Sequence, residues 1–365
     1  MSDVRPWDMF TDMPRVTEEE ATRRISLCNS CPELGLLRRC SQCGCFMDAK
    51  SKLQPATCPL GKWETIFISI ASYRDPDLIN TVKSAYDNAY HKQSLFFSVV
   101  SQAEESEHPD LSFIPENQLR YTKVHWDETK GACWAREIAS RDIQQYYFLQ
   151  IDSHSRFREH WDLTLVQGYK KCQTHWGNKI IMSNYPDSFE IDWDTNPPSD
   201  RLNEWKDFYR LKADWDEANR MVVARWEVCE PVEFGHEVFF VSANNLFCES
   251  SFIREVPYDS ELYFTGEEPS LALRFYTRGY KIINPPVKYM YTNYSRANAK
   301  RNLHWEDKKD DWWKLNQLSY RRLAKIMTGD LSLGVYGIGS IELFKEYQEK
   351  SNVYLEDKYD IIHSM

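Results

Sequence analysis

At 365 residues, with 42% hydrophobic content and a mean hydropathy of −0.62, the chain can bury a sizeable core and carries no apolar run of membrane-spanning length. Its net charge of −10 is uneven: residues 1–63 hold 9 basic and 8 acidic side chains, and the remainder holds 36 and 47. An acidic main body excludes broad, non-specific nucleic-acid binding; an N-terminus reading MSDVRPWDMF, with no charged-then-apolar signal, predicts a cytoplasmic protein.

Residues 1–20 are polar with two prolines and predict a flexible arm. Residues 21–63 hold six of the ten cysteines, spaced C-x2-C-x8-C-x2-C-x-C-x12-C. So tight a cluster, without a secretory signal, predicts metal binding rather than disulfides. The pairs Cys28/Cys31 and Cys40/Cys43 suffice for one tetrahedral Zn²⁺, and Cys45 and Cys58 are further candidate ligands. The ion is expected to be structural, because a segment of about 40 residues builds too small a core to stand alone.

At Thr65 the character changes. TIFISIASY reads as a strand, LINTVKSAYDNAY as a helix, LFFSVVSQ and RYTKVHW as strands, CWAREIASRDIQQY as a helix and YYFLQID as a strand. Alternation of this kind predicts an α/β fold with a mostly parallel sheet, which binds ligands at the carboxyl ends of its strands. Residues 158–180 read as a helix and IIMSNYP as a strand. Residues 186–235 are polar, Trp-rich and Pro-broken, and read as a long insertion or loop. HEVFFVSANNLFCES is β-like, SLALRFYTRGY helical with Gly279 as its stop, and VKYMYTNYSR a last strand or loop. Residues 307–328 and 340–350 predict helices within a C-terminal extension, 307–365, outside a main domain of 64–306.

The strand YYFLQID ends on Asp152, with His154 two residues on. In an extended chain, positions i and i+2 face the same side, so the two side chains can converge on one divalent ion. A capped turn with hydrogen-bonded side chains is the plainer alternative.

Four segments, ISIASYRDPDL (68–78), KGACWAR (130–136), FLQIDSHSRFREHWD (148–162) and YDSELYFTGEEPSLALRFYTRGY (258–280), together resemble the family 60 glycosyltransferases, the Skp1 polypeptide α-N-acetylglucosaminyltransferase group. The resemblance runs from about Thr65 into the low 340s. The cysteine segment lies outside it and is similar to small Cys-rich modules of phage and bacterial proteins. The resemblance implies a GT-A fold, a nucleotide-sugar donor, UDP-GlcNAc in the typical case, retention of anomeric configuration, and Mn²⁺ or Mg²⁺ at the donor site. A metal on Asp152 and His154 would neutralise the charge that builds on the leaving diphosphate.

By the same resemblance, Ala71, Ser72, Tyr73 and Arg74 form the donor loop, with Tyr73 flanking the base and Arg74 on a phosphate or positioning Asp152. A salt bridge from Arg74 to Asp75 or Asp77 is the alternative. Gln102, Lys130, Gly131 and Arg136 complete the donor site. Glu267 and Glu268 precede a helix, where the resemblance puts one of them against donor or acceptor hydroxyls; capping of that helix is the alternative. Thr292 stands where the family carries a histidine ligand, in Thr292-Asn293-Tyr294-Ser295-Arg296, which leaves His304 or water as the third ligand. Trp126, Trp161 and Trp193 are candidate sugar-stacking residues.

The expected acceptor is a protein hydroxyl, with a modified DNA base as the alternative. A metal-dependent hydrolase is disfavoured, since no H-x-H or H-E-x-x-H cluster is present. A binding protein without turnover remains the third reading.

Overall fold

The computed structural model describes residues 13–218 and 220–355. The N-terminal segment opens on α1 (Glu18–Asn29), capped by Thr17, whose Oγ1 accepts from Glu20 N at 3.2 Å. The helix begins inside the expected arm; residues 1–12 of that arm lie outside the described residues. The short α2 (Met47–Lys50) follows. A small core of Cys28, Cys45, Met47, Leu53, Ala56 and Trp63 holds the segment together.

The main body runs β1 (Ile66–Tyr73), α3 (Leu78–Asp87), β2 (Leu95–Ala103), β3 (Leu119–His125), α4 (Ala132–Ala139), β4 (Tyr147–Asp152), β5 (Ser155–Phe157), α5 (Trp161–Trp176) and β6 (Ile180–Ser183). Here the expected elements form, because β1, β2 and β4 are apolar almost throughout and lie buried on both faces.

The stretch read as a loop is instead largely strand: β7 (Asp187–Asp192), β8 (Ser199–Asn203), β9 (Phe208–Asp216) and β10 (Met221–Cys229). β7 pairs with β8, and β9 with β10, as antiparallel ribbons. Their alternation was hidden because much of each ribbon faces solvent; every residue of β8 is exposed. Next come β11 (His236–Val238), β12 (Asn245–Glu249), α6 (Ser250–Glu255), α7 (Glu267–Tyr276), β13 (Lys281–Asn284) and β14 (Met290–Thr292). The chain then forms α8 (Arg296–Ala299), α9 (His304–Asp307), α10 (Trp312–Met327) and α11 (Ile341–Ser351).

Eight strands form the central sheet in the order β11-β13-β6-β12-β4-β1-β2-β3, mostly parallel, with β12 antiparallel to β4 and β6, and β11 antiparallel to β13. A smaller sheet orders β5-β14-β7-β8. Two large apolar cores hold the body together. One contains Leu271, Leu273 and Phe275 of α7 with Leu323, Ile326 and Met327 of α10 and Phe344 and Tyr347 of α11. Of the expected C-terminal extension, α10 and α11 thus contribute their apolar faces to that core, while residues 356–365 lie outside the described residues.

The cysteine segment docks at the amino ends of the strands. Lys170 Nζ of α5 donates to Ala56 O and to Glu64 Oε1, both at 2.7 Å, and the Arg23 guanidinium stacks 4.2 Å from the Tyr146 ring. Burial pulls the Lys170 ammonium down to about 8, against the opposing charge of Glu64. Among the described residues, no helix is long and apolar enough to cross a membrane.

Candidate active site

Parallel register brings the strand ends together. Ala71 of β1 lies beside Asp152 of β4, and Tyr73 beside Gln102 of β2. Beyond these ends opens a cavity walled by Ala71, Tyr73, Gln102, Gly131, Arg136, Asp152, His154 and His304. Eight of the expected donor or metal residues thus share one cavity.

Asp152 Oδ2 and His154 Nε2 lie 3.4 Å apart. His154 Nδ1 is 2.8 Å from Asp75 Oδ2, which also accepts from Ser153 Oγ at 2.8 Å. A buried carboxylate accepting from Nδ1–H fixes the ring's orientation and turns Nε2 to the cavity, the orienting contact metal-ligating histidines commonly have. Asp75 was read only as a salt-bridge partner, since nothing in its spacing reveals a contact 79 residues away. Among the described residues no group of three or more His, Cys, Asp or Glu side chains is gathered so that it could hold a metal ion, either here or among the clustered cysteines. The mixed O/N pair fits a divalent ion whose remaining ligands come from elsewhere.

Arg136, on α4, is buried and bridges two carboxylates. Its Nη2 donates to Asp152 Oδ1 at 2.7 Å, and its Nε lies 2.9 Å from Glu267 Oε1. Burial would push the Asp152 carboxyl up, but hydrogen bonding to His154 and the charges of His154 and Arg136 hold it well below the usual range. Gly131 at the head of α4 has φ of +105°, and a Cβ there would sit 2.2 Å from Tyr263 O, so only glycine allows this wall.

Other expected residues lie differently. Arg74 is tied to Glu107 at 2.8 Å and to Asp307 at 3.0 Å, so its guanidinium fastens the β1 loop to α9. Its acidic partners are neither of the two neighbours anticipated. Ser72 is buried, and its carbonyl accepts from Gln102 Nε2 at 3.1 Å. Lys130 is exposed and outside the cavity wall. His304 is paired through Nδ1 with the Tyr263 hydroxyl and sits edge-on to Tyr73 at 5.1 Å. Burial, with the nearby charge of Lys308, pulls its pKa down to about 4. Thr292 is buried beside His154, with its Oγ1 3.3 Å from His154 O.

A second, larger cleft adjoins the first and shares Arg136, Asp152, Tyr263, Phe264 and Trp305 with it. Glu267 and Glu268, in the first turn of α7, face this cleft. Glu268 Oε1 accepts from Ala243 N at 2.8 Å, while burial lifts its carboxyl to about 7. Burial also raises Glu267, opposed by Arg136. The tryptophans here are Trp205, Trp226, Trp305 and Trp312. The three proposed from sequence lie elsewhere: Trp161 is fully buried on Ala85 O, Trp126 is engaged by Glu104, and Trp193 by Asn298 O. Composition alone could not tell core tryptophans from cleft ones.

At the far end of the molecule, Cys28, Cys31, Cys40, Cys43 and Cys58 line one apolar pocket with Lys50 and Lys62. Lys62 Nζ lies 3.2 Å from Cys31 Sγ, and the buried Lys50 Nζ has no hydrogen-bond partner. Cys45 lies outside that lining. All ten cysteines are free of disulfides.

Comparison with known proteins follows this geometry. A family model described as Glycosyltransferase (GlcNAc) matches residues 65–114 and 110–352. No curated protein matches. Among solved structures, GalNAc-T7 with UDP, GalNAc and Mn²⁺ is similar at a TM-score of 0.50 and 14% identity, over 79% of this chain and 55% of that one. The chain thus spans about half the length of that relative and shares its GT-A fold. The mannosyltransferase PcManGT from Pyrobaculum calidifontis, with GDP-Man and Mn²⁺, gives 0.46 at 12% identity, over 80% and 69% of the two chains. TarS 1-349 of S. aureus, with UDP, gives 0.41 at 11%, over 74% of each.

Proposed function

From the premise that the chain belongs to the GlcNAc glycosyltransferase family, we propose that it is a retaining, metal-dependent transferase of the family 60 kind. It moves GlcNAc from UDP-GlcNAc to a hydroxyl group, with a protein side chain as acceptor. The observation that supports this most is the Asp152–His154 pair, 3.4 Å apart at the strand ends, with Asp75 fixing the ring. A bound Mn²⁺ or Mg²⁺ supplies Lewis-acid stabilisation of the leaving diphosphate.

The chain's own residues take the other tasks. Gly131 brings backbone close to the donor, and Tyr73 flanks its base. Arg136 fixes the Asp152 carboxylate and adds positive charge at the wall shared by both cavities. Glu268 faces the larger cleft, where a carboxylate can orient the acceptor hydroxyl; Glu267 is held by Arg136. The aromatic lining of that cleft suits the acceptor side.

The N-terminal segment is read as a structural zinc module. Five cluster cysteines line one pocket, and four thiolates suffice for a tetrahedral ion once they close on it. Cys45 drops from the candidate ligands on this reading.

The test is UDP release from UDP-GlcNAc, with intact-mass analysis of cell proteins and DNA after incubation. A mass gain of one HexNAc on protein, lost with EDTA and in Asp152→Ala, supports the proposal. Transfer that persists in both conditions overturns it; a gain on DNA alone moves the acceptor to the modified base.

A further inference from the structure

The cation nearest His154 is part of the chain. Arg301, in the loop after α8, directs Nη1 at His154 Nε2 and donates from Nη2 to Asn293 O at 3.1 Å. With Asp75 on Nδ1, the guanidinium stands directly in front of Nε2. Nε2 is the ring atom that a divalent ion on His154 would need, so the two cations compete for one place.

The surrounding backbone explains how an arginine reaches this point. Thr292 pairs with Ser155 across β14 and β5, and Asn293 N donates to His154 O at 3.0 Å. Thr292 and Asn293 are thereby pinned against the His154 backbone, and Arg301 is hooked onto the Asn293 carbonyl. Where the resemblance calls for a histidine ligand, a guanidinium from further along the chain faces the ring instead. Arg301 also lines the same cavity as Arg136 and Asp152. A guanidinium stays charged at every relevant pH and matches phosphate oxygens in a bidentate fork.

We propose that Arg301 is a resident cation of the donor site: it covers the metal ligand His154 until the donor binds, and then swings to the donor diphosphate. The divalent ion then enters with the nucleotide or after it, never before. This rests on the reading of Asp152 and His154 as the metal pair.

The test is Mn²⁺ titration of the full chain, followed by electron paramagnetic resonance, with and without UDP, in the natural protein, Arg301→Met and Asp152→Ala. The natural protein should bind Mn²⁺ only with UDP. Arg301→Met should bind Mn²⁺ without UDP at least about tenfold more tightly than the natural protein, and bind UDP in EDTA about fivefold more weakly. Unchanged UDP-free Mn²⁺ binding in a folded Arg301→Met, with Asp152→Ala still abolishing binding in the presence of UDP, overturns the proposal alone. If Arg301→Met fails to fold, the natural protein decides: micromolar Mn²⁺ affinity without UDP overturns the proposal, and its absence until UDP is added supports it. If Asp152→Ala binds Mn²⁺ normally with UDP, the metal assignment falls and this proposal falls with it.

Discussion

The Asp75 carboxylate lies 2.8 Å from His154 Nδ1, and this contact decides which ring nitrogen faces the cavity. Asp75→Asn offers either an N–H donor or a carbonyl there, so the ring loses its single preferred tautomer. Mn²⁺ affinity in the presence of UDP should fall by about 10–100-fold, the usual cost of removing such an orienting partner. Calorimetry on the variant, with the melting curve as a fold control, checks it; an unchanged affinity would show that the ring needs no orienting carboxylate.

Asp152→Ala should cost stability as well as turnover. From sequence the residue reads as a strand-end metal ligand and nothing more. The structure shows it neutralising a buried arginine, so the alanine variant strands part of the Arg136 charge. We expect loss of turnover and a destabilisation of about 2–4 kcal/mol, in the range for breaking a buried pair from one side. Asp152→Asn, which keeps a carbonyl acceptor, should cost less. Urea denaturation of both variants gives the comparison.

Glu268 carries a pH signature. Its carboxyl is raised to about 7 by burial, so the folded chain holds a proton there that the unfolded chain releases nearer 4.5. The native state binds more protons across that window. This group's contribution is therefore full below about 4.5 and is lost as pH rises through about 7. Glu268→Gln should gain stability relative to the natural protein between pH 5 and 8, by on the order of 1–3 kcal/mol at 1.36 kcal/mol per unit. Activity should rise with pH through about 7 in the natural protein, where the carboxylate forms, and lose that limb in the variant. Melting temperatures and pH–rate profiles measure the two arms.

The thiols divide by position. Cys28→Ser and Cys31→Ser should each lose close to one equivalent of zinc by elemental analysis and loosen residues 18–63 to protease, because both line the pocket. Cys45→Ser should keep its zinc, because that thiol lies outside the lining. UDP-GlcNAc hydrolysis should survive in all three, since the pocket lies at the opposite end of the strands from the donor cavity. Zinc lost only in Cys45→Ser would invert the assignment.

Much of the site was legible because parallel strands end on it. Ala71, Tyr73, Gln102, Asp152 and His154 belong to apolar runs or their first turns, and pleating fixes where such residues point. Gly131 and Arg136 came from the resemblance, and the helix start that they share places both on the cavity wall. Arg74 and Lys130 show the limit: on loops, a long charged side chain goes to whatever partner the tertiary fold supplies, here Glu107 and Asp307 for Arg74. Asp75 and Arg301 reach His154 across 79 and 147 residues, and no local pattern encodes such contacts. The ribbons β7–β10 were missed because a strand pair with solvent on one side looks polar; α10 and α11 were expected as helices, but a helix's apolar stripe does not name the core it completes.

Arg136 stands on the wall common to both cavities, bonded to Asp152 on one side and paired with Glu267 on the other. Two carboxylates that share one cation cannot be perturbed independently. A molecule that draws Glu267 away strengthens the hold of Arg136 on Asp152, and a nucleotide that engages Asp152 changes what Glu267 offers. By linkage the two effects are equal: the factor by which an acceptor alters nucleotide affinity is the factor by which nucleotide alters acceptor affinity. If donor and acceptor take the two cavities as proposed, one guanidinium couples them, and occupancy of either changes what the other offers.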